Sequence, residues 1–222
     1  FGYDAGGHGE RPESSRHSLV VLEQVGAFIV LIFCKFWPAA ADDEQVKRDL
    51  VSFWQYFRPD EAIGDAYGVG MLTGLNDDLF KKDLTRVDRR AIGDGESTAS
   101  TWREWPFSPL RFDGMTKHQM ARRGAQAFAS GNVVIPYFDD AHIETEEVRD
   151  LRDVCRQLLN IREAKSQAPY SKYEMVDKRI GDDGFDAFIA AAWGLDTRGA
   201  EEPEPVVLTS TQSRQRLLAG TA

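Results

Sequence analysis

Hydrophobic residues crowd into three short segments at the start of the chain: Phe1–Asp4, Ser18–Gln24 and Ala27–Trp37. The second and third are rich in Val, Ile, Leu and Phe and flank Val25-Gly26, which is the composition of a β-hairpin. Three consecutive antiparallel strands are therefore predicted. From Asp42 the period changes: Val46, Leu50, Phe53, Trp54 and Phe57 recur at helical spacing. Asp42, Asp43 and Glu44 suit the positive end of the helix dipole, and Pro59 stops the helix. Glu61–Ala66 reads as a short strand carrying Asp65, and Gly68-Val69-Gly70 opens a helix to about Lys82. Leu84–Ile92 reads as another strand, and residues 93–113 as a long irregular segment. Then come a helix over Thr116–Ser130 closed by Gly131, a short strand at Val133–Ile135 and a charged amphipathic helix over Glu144–Ile161. Residues 162–181 read as a polar connection with a strand at Tyr173–Val176, and Asp182–Leu195 as a helix with an Ala-rich face. From Asp196 onward, Glu-Glu-Pro-Glu-Pro and a polar end predict a flexible tail.

A three-stranded antiparallel meander followed by strand–helix–strand crossovers predicts an α/β fold. Its mixed sheet should combine the meander with parallel strands and carry helices on both faces. The expected organisation is one domain over residues 1–195 and a tail over 196–222.

Composition narrows the function only a little. The 222 residues suffice for one large α/β domain with a sizeable core. The longest apolar run, Ala27–Phe33, has strand length, far short of the ~18–20 residues that span a bilayer, so no membrane association is expected. A net charge of -9 and a pI of about 5.0 argue against a grip on nucleic acid through bulk positive charge. They suit a site that gathers carboxylates for cations, and equally suit ordinary acidic solubility. Cys34 and Cys155 lack C-x-x-C spacing and read as reduced core residues, which fits a reducing compartment.

Three acidic positions stand out by their place in this pattern. Asp4 ends the first strand, and Asp65 ends the fourth. Asp182, Asp183 and Asp186 lie in Gly-Asp-Asp-Gly-Phe-Asp-Ala at the start of the last helix. Strand-terminal carboxylates face the crevice where ligands bind an open α/β sheet, and carboxylates three or four apart share a helix face. Phosphodiester hydrolysis needs an activated water and a stabilised leaving oxygen, and two Mg²⁺ or Mn²⁺ ions among oxygen ligands meet both needs. An Asp at a helix N-terminus is also a routine cap, so Asp182 alone carries little.

The four histidines, His8, His17, His118 and His142, show no metal-ligand spacing; His8 lies near enough to Asp4 in sequence to serve a water or a phosphate. Lys81, Lys82, Arg89, Arg90, Lys117, Arg122 and Arg123 are candidate phosphate contacts or solvated helix faces. Trp102, Trp105 and Phe107 are expected to anchor the long segment to the core rather than stack on bases. Glu10 reads as a solvated charge or a supporting ligand. Arg214 and Arg216 read as part of a fraying tail or as a partner contact.

Taken in order, these motifs resemble the nuclease domain of the large terminase subunit of tailed bacteriophages, an RNase H-like superfamily member. Gly2-Tyr3-Asp4-Ala5-Gly6 is similar to that family's opening strand and first metal Asp. Ile63-Gly64-Asp65-Ala66-Tyr67-Gly68-Val69-Gly70 resembles its strand-Asp-x-x-Gly-x-Gly turn. Lys117–Pro136, a basic helix followed by Ser-Gly-Asn-Val-Val-Ile-Pro, resembles the stretch before the last part of that fold. Asp182-Asp183-Gly184-Phe185-Asp186-Ala187 resembles its Asp-Asp-x-x-Asp-Ala helix, a motif shared with Holliday junction resolvases.

The resemblance covers nearly residues 1–195 and implies an RNase H-like fold and two-metal cleavage of concatemeric double-stranded DNA. It implies catalytic and metal-binding roles for Asp4, Asp65, Asp183 and Asp186, with the choice among Asp182, Asp183 and Asp186 open. It also implies action in the host cell cytoplasm, with the small terminase subunit and the portal ring as partners. The resemblance also implies an N-terminal ATPase domain of the same polypeptide, and the start at Phe1 without any G-x-x-x-x-G-K-[ST] agrees with its lying outside this chain. A junction resolvase and a non-catalytic docking module of a packaging motor are the alternative readings.

Overall fold

The computed structural model describes residues 1–6, 15–82, 105–136 and 145–195. The meander is β1 (Gly2–Asp4), β2 (Ser18–Val25) and β3 (Phe28–Phe36), each antiparallel to the next. Helix α1 (Asp43–Phe57), strand β4 (Ala62–Asp65), a 3-10 turn at Ala66–Gly68 and helix α2 (Val69–Lys81) follow. Next come β5 (Phe107–Leu110), α3 (Gly114–Ala129), β6 (Val133–Val134) and α4 (Glu146–Asn160). The chain then forms a hairpin, β7 (Ile161–Ala164) with β8 (Lys172–Met175), and ends its described part in α5 (Asp183–Gly194).

Among the described residues, six strands make one mixed sheet in the order β5-β4-β1-β2-β3-β6, with β4 parallel to β1 and β5 parallel to β4. Strand alternation sorts its side chains into two cores. Phe1, Tyr3, Leu19, Val21 and Ala62 pack with Val46, Leu50 and Trp54 of α1 and with Leu72, Leu75 and Leu79 of α2. Val20, Leu22, Leu31 and Ile63 pack on the opposite face with Met120 of α3, Val154 of α4 and the Ala-rich side of α5. The expected RNase H-like α/β architecture, with helices on both faces, is the one observed. Among the described residues, no helix is long and apolar enough to cross a membrane.

Helix α5 lies unusually close to the sheet. A Cβ at Gly2 would stand 2.0 Å from the Ala187 carbonyl oxygen and 2.4 Å from the Ala191 nitrogen. The missing side chain on β1 and the small ones on α5 are thus two halves of one close approach. This contact sets how near the start of α5 comes to the end of β1.

The structure departs from the sequence reading in two places. The segment read as irregular contains β5, whose Ser108 and Pro109 carry no strand signal. Among the described residues β5 is an edge strand, where a Pro without an N–H is tolerated, and Asn76 of α2 bonds both the N–H and the C=O of Phe107 (2.8 and 3.0 Å). β7 forms within the expected polar connection, and it carries no apolar alternation because both faces of its two-stranded hairpin are partly open to solvent. The strand expected at Leu84–Ile92 and the tail 196–222 lie outside the described residues.

Candidate metal centre

Two neighbouring parallel strands place the first pair of acids. Gly2 is level with Ile63 and Tyr3 with Gly64, so Asp4 and Asp65 follow side by side at the carboxyl ends of β1 and β4. Alternation turns Phe1 and Tyr3 toward α1 and α2, and therefore turns Gly2 and Asp4 toward α5. By the same rule Asp65 shares the side of Ile63.

The second pair comes from the first turn of α5. Asp183 and Asp186, three apart, share a helix face. The expected capping role of Asp182 is filled by a distant residue: Gln157 of α4, itself fully buried, accepts from the Gly184 and Phe185 N–H groups at 2.7 and 3.1 Å. The Asp182 side chain makes no cap bond and turns to Lys117 instead. All four acids are buried, with exposures of 7% for Asp4, 5% for Asp65, 4% for Asp183 and 7% for Asp186. Acids are rarely buried to this degree without partners.

Their partners differ. Asp183 Oδ1 accepts from Ser15 Oγ at 2.7 Å and from the Arg16 N–H at 3.1 Å, while Ser18 Oγ donates to the Asp183 carbonyl at 2.7 Å. Asp65 Oδ1 accepts from the Tyr67 N–H at 3.1 Å. Asp186 Oδ2 accepts from Lys117 Nζ at 2.6 Å, and the same ammonium lies 3.2 Å from Asp182 Oδ2. Among the described residues, Asp186 Oδ1 is buried with no hydrogen-bond partner. Among the described residues, nothing donates a hydrogen bond to the Asp4 carboxylate.

Electrostatics tie the four together. Burial drives the Asp4 carboxyl well above the usual carboxylate range, and Asp186, Asp183 and Asp65 push it the same way. Burial likewise raises Asp186, to about 7, against the pull of Lys117. Asp65 and Asp183 are also raised by burial, opposed by their N–H and hydroxyl donors. Desolvation pulls Lys117 down, but Asp186 and Asp182 outweigh it and hold the ammonium charged.

Among the described residues no three side chains stand ready at coordination geometry. Asp183 is turned to the Ser15–Arg16 segment and Asp186 to Lys117, so closing on a cation requires exchange of those contacts. The donor set nevertheless fits a hard divalent ion: it is all carboxylate, desolvated, and includes an orphaned buried oxygen.

Other residues fall differently from their sequence readings. Lys117 is not a free phosphate contact but part of the acid cluster. Arg123 is built into the fold: its guanidinium donates to the Trp193 and Leu195 carbonyls at 3.3 and 2.7 Å, closing the C-terminal end of α5. Lys81 pairs with Asp78 on the surface of α2, and Arg122 stays exposed. Phe107 is fully buried, as an anchor should be. His17 is buried, with Nδ1 bonded to the Tyr3 hydroxyl and accepting from the Gly6 N–H. It thereby pins both ends of the segment that follows Asp4. His8, Glu10, Arg89, Arg90, Trp102, His142, Arg214 and Arg216 lie outside the described residues.

No protein-family model matches the chain, and no curated protein matches it. Among solved structures it is similar to the large terminase nuclease from thermophilic phage G20c, at 16% identity over 86% of this chain and 78% of that one, with a TM-score of 0.51. The same nuclease with bound magnesium gives 16% identity over 86% and 80% of the two chains, with a TM-score of 0.52. At this identity the likeness speaks for the backbone: the chain has the RNase H-like fold of a large terminase nuclease.

Proposed function

We propose that the chain is the divalent-metal-dependent DNA endonuclease domain of a viral genome-packaging terminase, cutting concatemeric double-stranded DNA in the host cell cytoplasm. The observation that carries this reading is the burial of Asp4, Asp65, Asp183 and Asp186 on one face of the sheet, at the carboxyl ends of two adjacent parallel strands. The fold it shares with a nuclease solved with bound magnesium supports the same reading. An N-terminal ATPase domain, the small terminase subunit and the portal ring are the partners it entails.

Two Mg²⁺ or Mn²⁺ ions, when bound, would activate a water for in-line attack and stabilise the leaving oxygen. The chain's own residues would do the holding. Asp4, which lies in the field of the other three acids, would be the ligand the ions share. Asp65, kept in place by the Tyr67 N–H, would hold one ion. Asp183 and Asp186, on a helix start fixed by Gln157, would complete the holding of the other.

The test is plasmid nicking in Mn²⁺, Mg²⁺ or EDTA by the wild type, Asp4→Ala and Asp65→Ala. Cleavage should require the metal and should fall by about a hundredfold or more in each variant. Equal cutting by all three chains would refute the assignment of these acids. Preference for four-way junctions over linear duplex would reassign the domain to a resolvase. Tight partner binding without any cutting would make it a docking module.

A further inference from the structure

The proposed function leaves Lys117, a partly buried charge within the acid cluster, without a task. Lys117 projects from α3 into the acid cluster, its side chain only 20% exposed. Its Nζ lies 2.6 Å from Asp186 Oδ2 and 3.2 Å from Asp182 Oδ2. A lysine kept for DNA phosphates holds its ammonium in water; this one spends its donors on two carboxylates of the site itself. The two oxygens of Asp186 are consequently unequal, with Oδ2 occupied by the ammonium and Oδ1 buried and, among the described residues, unpartnered. Asp4 and Asp65 make no contact with Lys117 as close as these.

We propose that Lys117 is the site's resident cation: its ammonium holds the Asp182–Asp186 side of the cluster, so a first divalent ion binds toward Asp4 and Asp65, and a second must displace Nζ from Asp186. This rests on the metal-centre reading of the four acids. It adds that the two ions bind unequally, and names the residue responsible. A fixed positive charge there also keeps the crowded carboxylates from forcing the start of α5 away from β1 when no ion is bound.

Mn²⁺ binding, counted and ranked by calorimetry, tests the inference on wild type, Lys117→Met and Lys117→Arg. The wild type should take one ion tightly and a second at least about tenfold more weakly. Lys117→Met should tighten the second ion by about tenfold or more, while Lys117→Arg, which keeps the charge, should behave as wild type. A lysine that only braced the fold would lower the melting temperature in Lys117→Met and leave the second ion's affinity unchanged, and that result would overturn the proposal. A measurement on the wild type alone guards against a variant that fails to fold. The Lys117 ammonium resonance should persist through the first equivalent of Mg²⁺ and shift only with the second; a shift complete at the first equivalent also overturns it. Absence of any Mn²⁺ or Mg²⁺ binding to the wild type would refute the metal centre itself, a different failure from two equal sites.

Discussion

Asp4 shows what a site of this kind costs at a single residue. Its carboxyl is buried, receives no hydrogen bond from the described residues, and sits within the field of Asp186, Asp183 and Asp65. The folded chain therefore holds its proton more tightly than the unfolded chain does. An acid whose folded value is raised loses stability as pH climbs from the unfolded value through the folded one. Asp4→Asn removes that penalty. In EDTA the variant should match wild type near pH 4, pull ahead as pH rises, and be more stable by about 1–2 kcal/mol at neutral pH, the scale of an uncompensated buried polar group. Thermal unfolding from pH 4 to pH 8 checks this; a variant no more stable than wild type at neutral pH would mean that Asp4 is not a strained charge. The position of Asp4 could be read from the sequence, because a strand-ending Asp before Ala-Gly-Gly is a local pattern. The ion pair of Lys117 could not, since it joins residues 65 and 69 apart in sequence, and in a single sequence a lysine on a helix looks the same whether it faces water or acids.

At the scale of elements, α5 carries half of the site and is secured by neighbours rather than by its own sequence. Gln157 from α4 caps its start, Arg123 from α3 closes its end, and Gly2 of β1 lets it lie against the sheet. Gln157→Leu fills the same space but leaves the buried N–H groups of Gly184 and Phe185 without an acceptor. The loss should be about 1–3 kcal/mol for each fully desolvated group. Amide exchange should show faster opening at Gly184 and Phe185 and little change in α1, which packs on the other face; uniform loosening of both helices would mean that Gln157 serves the general core instead. The existence and extent of α5 were apparent from its Ala-rich face, and α1 from its 3.6-residue period. Strand β5 was hidden, because four residues containing Ser and Pro become a strand only through pairing with β4 and the clasp of Asn76. Such tertiary causes leave no local mark.

Across the whole molecule, two sources of cation sensitivity have to be separated. A chain with a net charge of -9 is stabilised by any salt through screening of its self-repulsion, whereas a site is stabilised only by the ion it binds. The order of elements along the chain was enough to foresee the mixed sheet. The expected neighbouring strands are β1 and β4, and their parallel adjacency is what turns two isolated aspartates into a pair. If the pair and α5 form one site, ion binding is linked to folding of the entire domain, because no single element holds the ligands. Mn²⁺ at a hundred times its dissociation constant should then raise stability by about 2.7 kcal/mol, or roughly 5–10 °C in melting temperature for a chain of this size. NaCl at matched ionic strength should give a much smaller rise, equal in wild type and Asp4→Asn, and Asp4→Asn should lose most of the Mn²⁺ effect. If NaCl reproduced the Mn²⁺ shift, or if Asp4→Asn retained it in full, the stabilisation would come from the diffuse negative charge of the molecule and not from four acids acting as one site.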